Sequence, residues 1–384
     1  MARLARTEVF APDEVAVVQV MNRVVRRCFL LGDDPVTGKN DDHRILWIED
    51  LLKRFSAAFG IDLLGFAILS NHFPLILRSR PDVVTTWTDA DVARRWLRLC
   101  PFRKTSDGLP AEPTPAEIET IRNNPEKLAA VRQRLSDIGW WMRLLCQQVA
   151  TRANRDDREV GKFWQSRSRA VRLLDEPALL ACAACVDLNP IRAALAERLE
   201  TSDFTSVQRR IQAMPTQPAT SRQTPARAAS SIPSQPPRRS QSADIRPREA
   251  ARPLADVFLA PVSREERTGQ AGPVPNTIGL RCRDKGFLPV SWSDDLGLLD
   301  WTSRQAASGQ RGRTPPTLKP IFERLALDPQ TWCSWVGSFG RLFDHVAGLP
   351  ETMESTTSRV TAKRDHIPAA ARTLLAKADP SSPA

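Results

Sequence analysis

Apolar and polar positions along the chain fall into several distinct regimes. Residues 15–21, VAVVQVM, are nearly all apolar and rich in valine, the pattern of a buried strand. Residues 42–59, DHRILWIEDLLKRFSAAF, place Ile45, Ile48, Leu51, Leu52, Phe55 and Phe59 at helical spacing. Asp41 or Asp42 is the expected cap of that helix and Gly60 its expected stop. IDLLGFAILS and HFPLILR then predict two strands joined by a tight Ser70-Asn71 turn. The order strand, helix, strand, strand fits an α+β fold: an antiparallel sheet with helices packed on one face.

WTDADVARRWLRL at 87–99 predicts a helix opened by a Thr88–Asp91 capping box, and a proline-rich loop follows to about 115. Residues 125–154 predict one long helix, GKFWQSRSRAVRLL a basic strand, and 177–199 a helix interrupted at Pro190. PTQPATSRQTPARAASSIPSQPPRRSQS has too little apolar surface to order itself. Apolar periodicity returns in WSDDLGLLDWTSRQ and DPQTWCSWVGSFGRLFDHV. The expected organisation is a first domain over 1–212 with a helical insertion at about 81–135, then a flexible basic linker over 213–275. A small helical module over 276–350 and a polar tail over 351–384 complete it.

Charge adds a partner to this picture. The 384 residues carry a formal net charge of +11, which favours a polyanion, most commonly nucleic acid. No segment is both strongly amphipathic and lysine-rich, and no run reaches the roughly 18 apolar residues of a membrane span, so no membrane partner is expected. Seven scattered cysteines, Cys28, Cys100, Cys146, Cys182, Cys185, Cys282 and Cys333, fit a reducing compartment. The CAAC run at 182–185 has no second pair and no nearby histidine, which argues against zinc. The first residues lack the apolar stretch of a secretory signal, and the expected location is the cytoplasm. There is no tyrosine.

The candidate chemistry centres on LSNHFPLIL, 69–77. His-x-His on a strand would present two imidazoles on one face to a metal. Here His72 stands alone and Pro74 holds the second place, with neither a ligand nor a backbone N–H. From the pattern alone, His72 is either a structural strand histidine or half of a metal site.

SNHFPLIL, followed by GKFWQSRSRAVRLLDEPALLACAACVDLNPIRAALAE, resembles the single-tyrosine HUH transposases, in particular the REP-associated tyrosine transposase branch. The VDLNPIRA run and its spacing to FW are the specific part, and the likeness extends in order over roughly residues 1–212. LLDWTSRQ and FGRLF resemble an accessory region of long members. The resemblance implies an HUH core that nicks and rejoins single-stranded or hairpin DNA ends, often as a homodimer. It also implies a divalent ion (Mg2+ or Mn2+), held by two histidines and a helix side chain, and a tyrosine that links covalently to DNA. Carried over, His72 matches the first histidine and Pro74 replaces the second. Asn189 matches the helix ligand, and Cys185, one helical turn earlier, replaces the tyrosine. Val18 and Gln19 stand where Tyr-His is common, and Ser168 where phenylalanine is usual.

The departures fall on the chemistry. A thiolate attacks phosphodiesters poorly, and Cys185 sits among alanines with nothing nearby in sequence to ionise it. Strand transfer is therefore expected to be lost. The expected DNA-contacting side chains are Arg23, Arg26, Arg27, Arg78, Lys162, Arg167 and Arg169, with Arg80, Arg152, Arg155, Arg158 and Arg172 as further members. Trp140, Trp141 and Trp164 lie near them, as stacking platforms or core. Two alternatives stay open: a domesticated, non-catalytic regulatory protein that binds nucleic acid, and a decaying relic. Pro74 in a central strand and Ser168 point to the relic.

Overall fold

A computed structural model describes residues 13–25, 29–30, 32, 38–214, 255–263, 279–308 and 314–357. Arg26 and Arg27, much of the expected linker and most of the expected tail lie outside the described residues. The chain runs β1 (Val17–Arg23), α1 (His43–Ala58), β2 (Ile61–Phe66), β3 (His72–Ser79), α2 (Pro81–Val84), α3 (Asp89–Leu99), α4 (Pro115–Arg122), α5 (Pro125–Arg134) and α6 (Ile138–Asp157). It continues β4 (Arg169–Leu173), α7 (Glu176–Asp187), α8 (Asn189–Arg192), α9 (Ser206–Ala213), α10 (Trp292–Ser308), α11 (Lys319–Leu325), α12 (Pro329–Leu342), β5 (Val346–Ala347) and α13 (Pro350–Thr357).

Among the described residues the strands form one five-stranded sheet in the order β2-β3-β1-β4-β5. All neighbours are antiparallel except β4 and β5. The fold is thus α+β with an antiparallel sheet and packed helices, but both faces are covered, not one. Val18 and Val20 of β1 and Phe73, Leu75 and Leu77 of β3 share a core with Ile48 and Phe55 of α1 and Trp141 and Leu145 of α6. On the other face Ile76, Val171 and Leu173 meet Cys182 of α7 and Trp332, Trp335 and Phe339 of α12. The unbroken apolar run of β3 is what two covered faces require.

Local signals set most of the boundaries. Thr88 accepts from the Asp91 N–H at 3.2 Å and donates to its carboxylate at 2.7 Å, capping α3 as expected. The Leu69 N–H donates to the His72 carbonyl at 3.0 Å, closing the Ser70-Asn71 turn. Gly60 acts differently from a left-handed cap: α1 ends through an extended Phe59. A Cβ on Gly60 would stand 2.1 Å from Val84 Cγ2, so glycine there permits close approach of α2.

The expected long helix over 125–154 is two helices, broken at residues 135–137, where Asp137 caps the start of α6 through the Gly139 N–H. The helix expected over 177–199 stops at Asp187. Pro190 lies in the first turn of the short α8, where its missing N–H costs nothing. Within the span of the expected linker, residues 255–263 lie along the outer edge of β2. Phe258 stacks on Phe66 at 5.9 Å, and the Ala260 N–H donates to the Leu63 carbonyl at 2.9 Å.

Candidate nucleic-acid interface at the sheet end

Three stretches of chain converge at one end of the sheet. The Val24 N–H donates to the Asn71 carbonyl (3.0 Å), the Val25 N–H to the Phe163 carbonyl (2.9 Å) and the Gln165 N–H to the Arg23 carbonyl (2.9 Å). Val24 thereby bridges to Trp164. Trp164 is fixed in turn by its indole N–H on the Cys146 carbonyl at 2.8 Å and by edge contacts to Phe73 and Phe163. This scaffold brings together Arg23, Asn71, His72, Lys162 and Arg167. Arg23, Asn71, Lys162 and Arg167 are exposed and His72 is half-buried.

His72 stands opposite Arg23 in the β1–β3 register. Its Nδ1 lies 2.7 Å from the Asn71 amide oxygen, which can only accept, so Nδ1 carries the proton and Nε2 keeps its lone pair. Burial, and then the Arg23 charge, lower the imidazole pKa to about 4. His72 is therefore a neutral acceptor beside a cationic surface at physiological pH.

Pro74 does not break the central strand. Odd-numbered residues of β3 bond to β1, as Asn71 does to Val24; even-numbered ones face β2, as the Leu69–His72 bond shows. The Pro74 carbonyl accepts from the Ala67 N–H at 3.1 Å, on that β2 side. The β2–β3 ladder ends at Phe66–Leu75, one residue earlier. The missing proline N–H therefore removes one bond near the hairpin turn, where the Ala67–Pro74 and Leu69–His72 bonds keep the two strands paired.

Cys185 and Asn189 sit on separate helical segments, since α7 ends between them and α8 begins at Asn189. The Cys185 thiol accepts from Arg192 at 3.4 Å, and the same guanidinium donates to the Val336 carbonyl at 3.1 Å and to that of Gly337. Burial pushes the Cys185 thiol pKa up, only partly offset by Arg192. Cys185 is thus a neutral thiol beside α12. Arg192 is a neighbour of Cys185 that the sequence alone did not place there, although it lies inside VDLNPIRA.

Two expected DNA contacts are bonded to the protein's own groups. Arg78 is buried, bonded to Asp62 at 2.8 Å, and Arg283 joins the same carboxylate at 3.1 Å. Arg169 donates to the Gly340 carbonyl at 2.7 Å and to that of Phe343, tying β4 to the end of α12. Arg80 is likewise buried, on Asp82. Arg172 pairs with Glu14. Trp141 is fully buried. Arg152 stacks on Trp47 at 4.1 Å.

The donors at His72 do not make up a divalent-metal site: one imidazole nitrogen, no second ligand from Pro74, and an amide on a different segment. Asp41, Asp156 and Asp157 do place three carboxylate oxygens within 4.8 Å of one another, a spacing that could hold a metal. Those oxygens are matched by Lys39, at 2.6 Å from Asp156 and 2.8 Å from Asp157, and by buried Arg44 on all three residues. Asp156 is held well below the usual carboxylate range by the Lys39 and Arg44 hydrogen bonds, against the effect of burial. Among the described residues no helix is long and apolar enough to cross a membrane.

No family model and no curated protein matches the chain. Among solved structures, a REP-associated tyrosine transposase bound to a REP hairpin is similar at TM-score 0.32 and 10% sequence identity, over 55% of this chain and 86% of that one. At that level, function must be argued from this chain's own residues.

Proposed function

We propose that this protein binds DNA, at single-stranded or hairpin ends, through the sheet-end surface, and that it does so without tyrosine strand transfer. The observation that carries the reading is the convergence of exposed Arg23, Lys162 and Arg167 around a neutral, half-buried His72. Arginine forks grip phosphates, and an imidazole lone pair accepts from a base edge or sugar hydroxyl. The sequence likeness to HUH transposases supports the same partner. The loss of chemistry follows from the neutral Cys185 thiol, the lone imidazole and the absence of tyrosine.

The test uses end-labelled hairpin DNA with Mg2+ or Mn2+, run on native and denaturing gels. The wild type is expected to retard the DNA, with affinity falling steeply with salt at roughly 0.7–0.9 log units per phosphate contact, and to form no covalent adduct. The Pro74→His/Cys185→Tyr double variant shows whether adduct formation returns. An adduct with the wild type would overturn the loss of chemistry. Absence of any retardation would overturn DNA binding.

A further inference from the structure

A second feature lies in the helices that cover the same face of the sheet as Trp164. Arg134 at the end of α5 and Arg143 on α6 both stack on Trp140, with guanidinium carbons 4.4 and 4.7 Å from its ring centroid. Trp96 of α3 meets Trp140 edge-on at 5.7 Å and Arg134 at 5.5 Å. Arg143 is exposed and the other three are half-buried.

The neighbouring arginines are all spoken for. Arg98 and Arg103 pair with Glu112 and Glu117 at 3.0 and 2.8 Å, and Arg132 pairs with Asp89 at 2.6 Å. Arg95 donates to the Ala57 carbonyl at 2.7 Å. Arg134 and Arg143 have the indole and, among the described residues, neither a hydrogen-bond acceptor nor an ion-pair partner. Asp137, the acid nearest in sequence, is committed to the Gly139 N–H. A guanidinium stacked on a ring still presents its planar set of N–H donors at the edge. Two such edges beside one indole suit the phosphates of a single strand.

We propose that Arg134, Arg143, Trp140 and Trp96 form a second nucleic-acid contact, which takes a single strand leaving the sheet-end surface. This rests on the DNA-binding reading above and adds where the strand goes. Cys146, which anchors Trp164 of the sheet end, lies six residues beyond Trp140, roughly 9 Å along the α6 axis. The exposed positions of α6 include Arg143, Gln147, Thr151 and Arg155, all neutral or basic. Its two carboxylates, Asp156 and Asp157, are neutralised by Lys39 and Arg44. A phosphate chain along this side meets no unmatched acid.

The experiment is fluorescence anisotropy over a salt series with two labelled DNAs. One is a hairpin without a tail; the other carries a tail of roughly 16 nucleotides, the upper site size of one single-strand-binding domain. In Arg134→Gln/Arg143→Gln, the salt slope for the tailed DNA is expected to fall by about 1.4 log units, with on the order of tenfold weaker binding. Binding of the tailless hairpin stays unchanged. A thermal melt of the same variant confirms that it is folded. An unchanged slope for the tailed DNA overturns the second contact and leaves the sheet-end reading intact. Equal weakening for both DNAs overturns the tail assignment. Arg23→Gln/Arg167→Gln, which weakens both DNAs, supports the sheet-end reading independently. If the wild type binds neither DNA, both readings fall.

Discussion

His72 shows how far a single side chain is set by its surroundings. Its imidazole has an ordinary pKa of 6.5 and stands at about 4 here, chiefly because it is half-buried and secondarily because Arg23 faces it. The unfolded chain takes up the proton first, so stability rises with pH between about 4 and 6.5 and is lost on acidification through that window. At 1.36 kcal/mol per unit, the effect is at most about 3 kcal/mol. Arg23→Gln is expected to raise the His72 pKa by the smaller share of the displacement, because burial remains. An NMR titration of the imidazole checks this. A full return to 6.5 would make charge, not burial, the dominant cause. The same surroundings explain why the sequence alone left His72 undecided: its partner Asn71 was visible next door, but Arg23 arrives only through strand register.

Element boundaries were legible wherever the signal was local. The Thr88 cap, the Ser70-Asn71 turn and the order strand, helix, strand, strand all follow from neighbouring residues. What depends on distant chain was not legible. Arg78 reads as a surface cation until Asp62, 16 residues earlier in sequence, and Arg283 are placed around it. Gly60 reads as a helix stop until Val84 packs against it. Gly60→Ala is therefore expected to lower stability by about 1–3 kcal/mol through overpacking, read from denaturant midpoints. Replacing a proline in mid-ladder would restore a hydrogen bond, a net gain of about 0.5–1.5 kcal/mol. Pro74→Val is expected to change stability by less than that, because the position lies near the hairpin turn, past the last residue of β2, and its carbonyl already bonds the Ala67 N–H. A large stabilisation would show that Pro74 does damage the strand. It would also revive the reading of a decaying relic.

At the scale of the whole molecule, the sheet and the C-terminal helices share a core. Leu64, Ile76, Val171 and Cys182 pack in the same cluster as Leu298, Trp332, Trp335 and Phe339. β5 extends the sheet, with the Arg172 and Leu174 N–H groups donating to the His345 and Ala347 carbonyls at 2.8 and 2.9 Å. A charged cluster is buried where the two halves meet. Asp187 of α7 accepts from Ser206 Oγ at 2.6 Å and from the Val207 N–H at 2.9 Å, and Arg210 of α9 donates to the Leu64 carbonyl at 2.6 Å and the Ala260 carbonyl at 3.2 Å. Asp295 of α10 is buried beside them. Burial, and then the Asp187 carboxylate, push its pKa from 3.8 up to about 7, against the pull of Arg210. The folded state holds this proton where the unfolded state has lost it, so the cost of Asp295 to stability grows as pH rises from about 4 to about 7 and then levels off. Asp295→Asn removes that cost. In melts across the pH range the variant is expected to gain on the wild type over that interval, reaching on the order of a few kcal/mol above pH 7. Because the core is continuous, the gain appears as a shift of one transition followed by sheet and C-terminal helices alike. Two separate transitions, with only the later one moved by Asp295→Asn, would instead show that the C-terminal helices fold as a unit of their own.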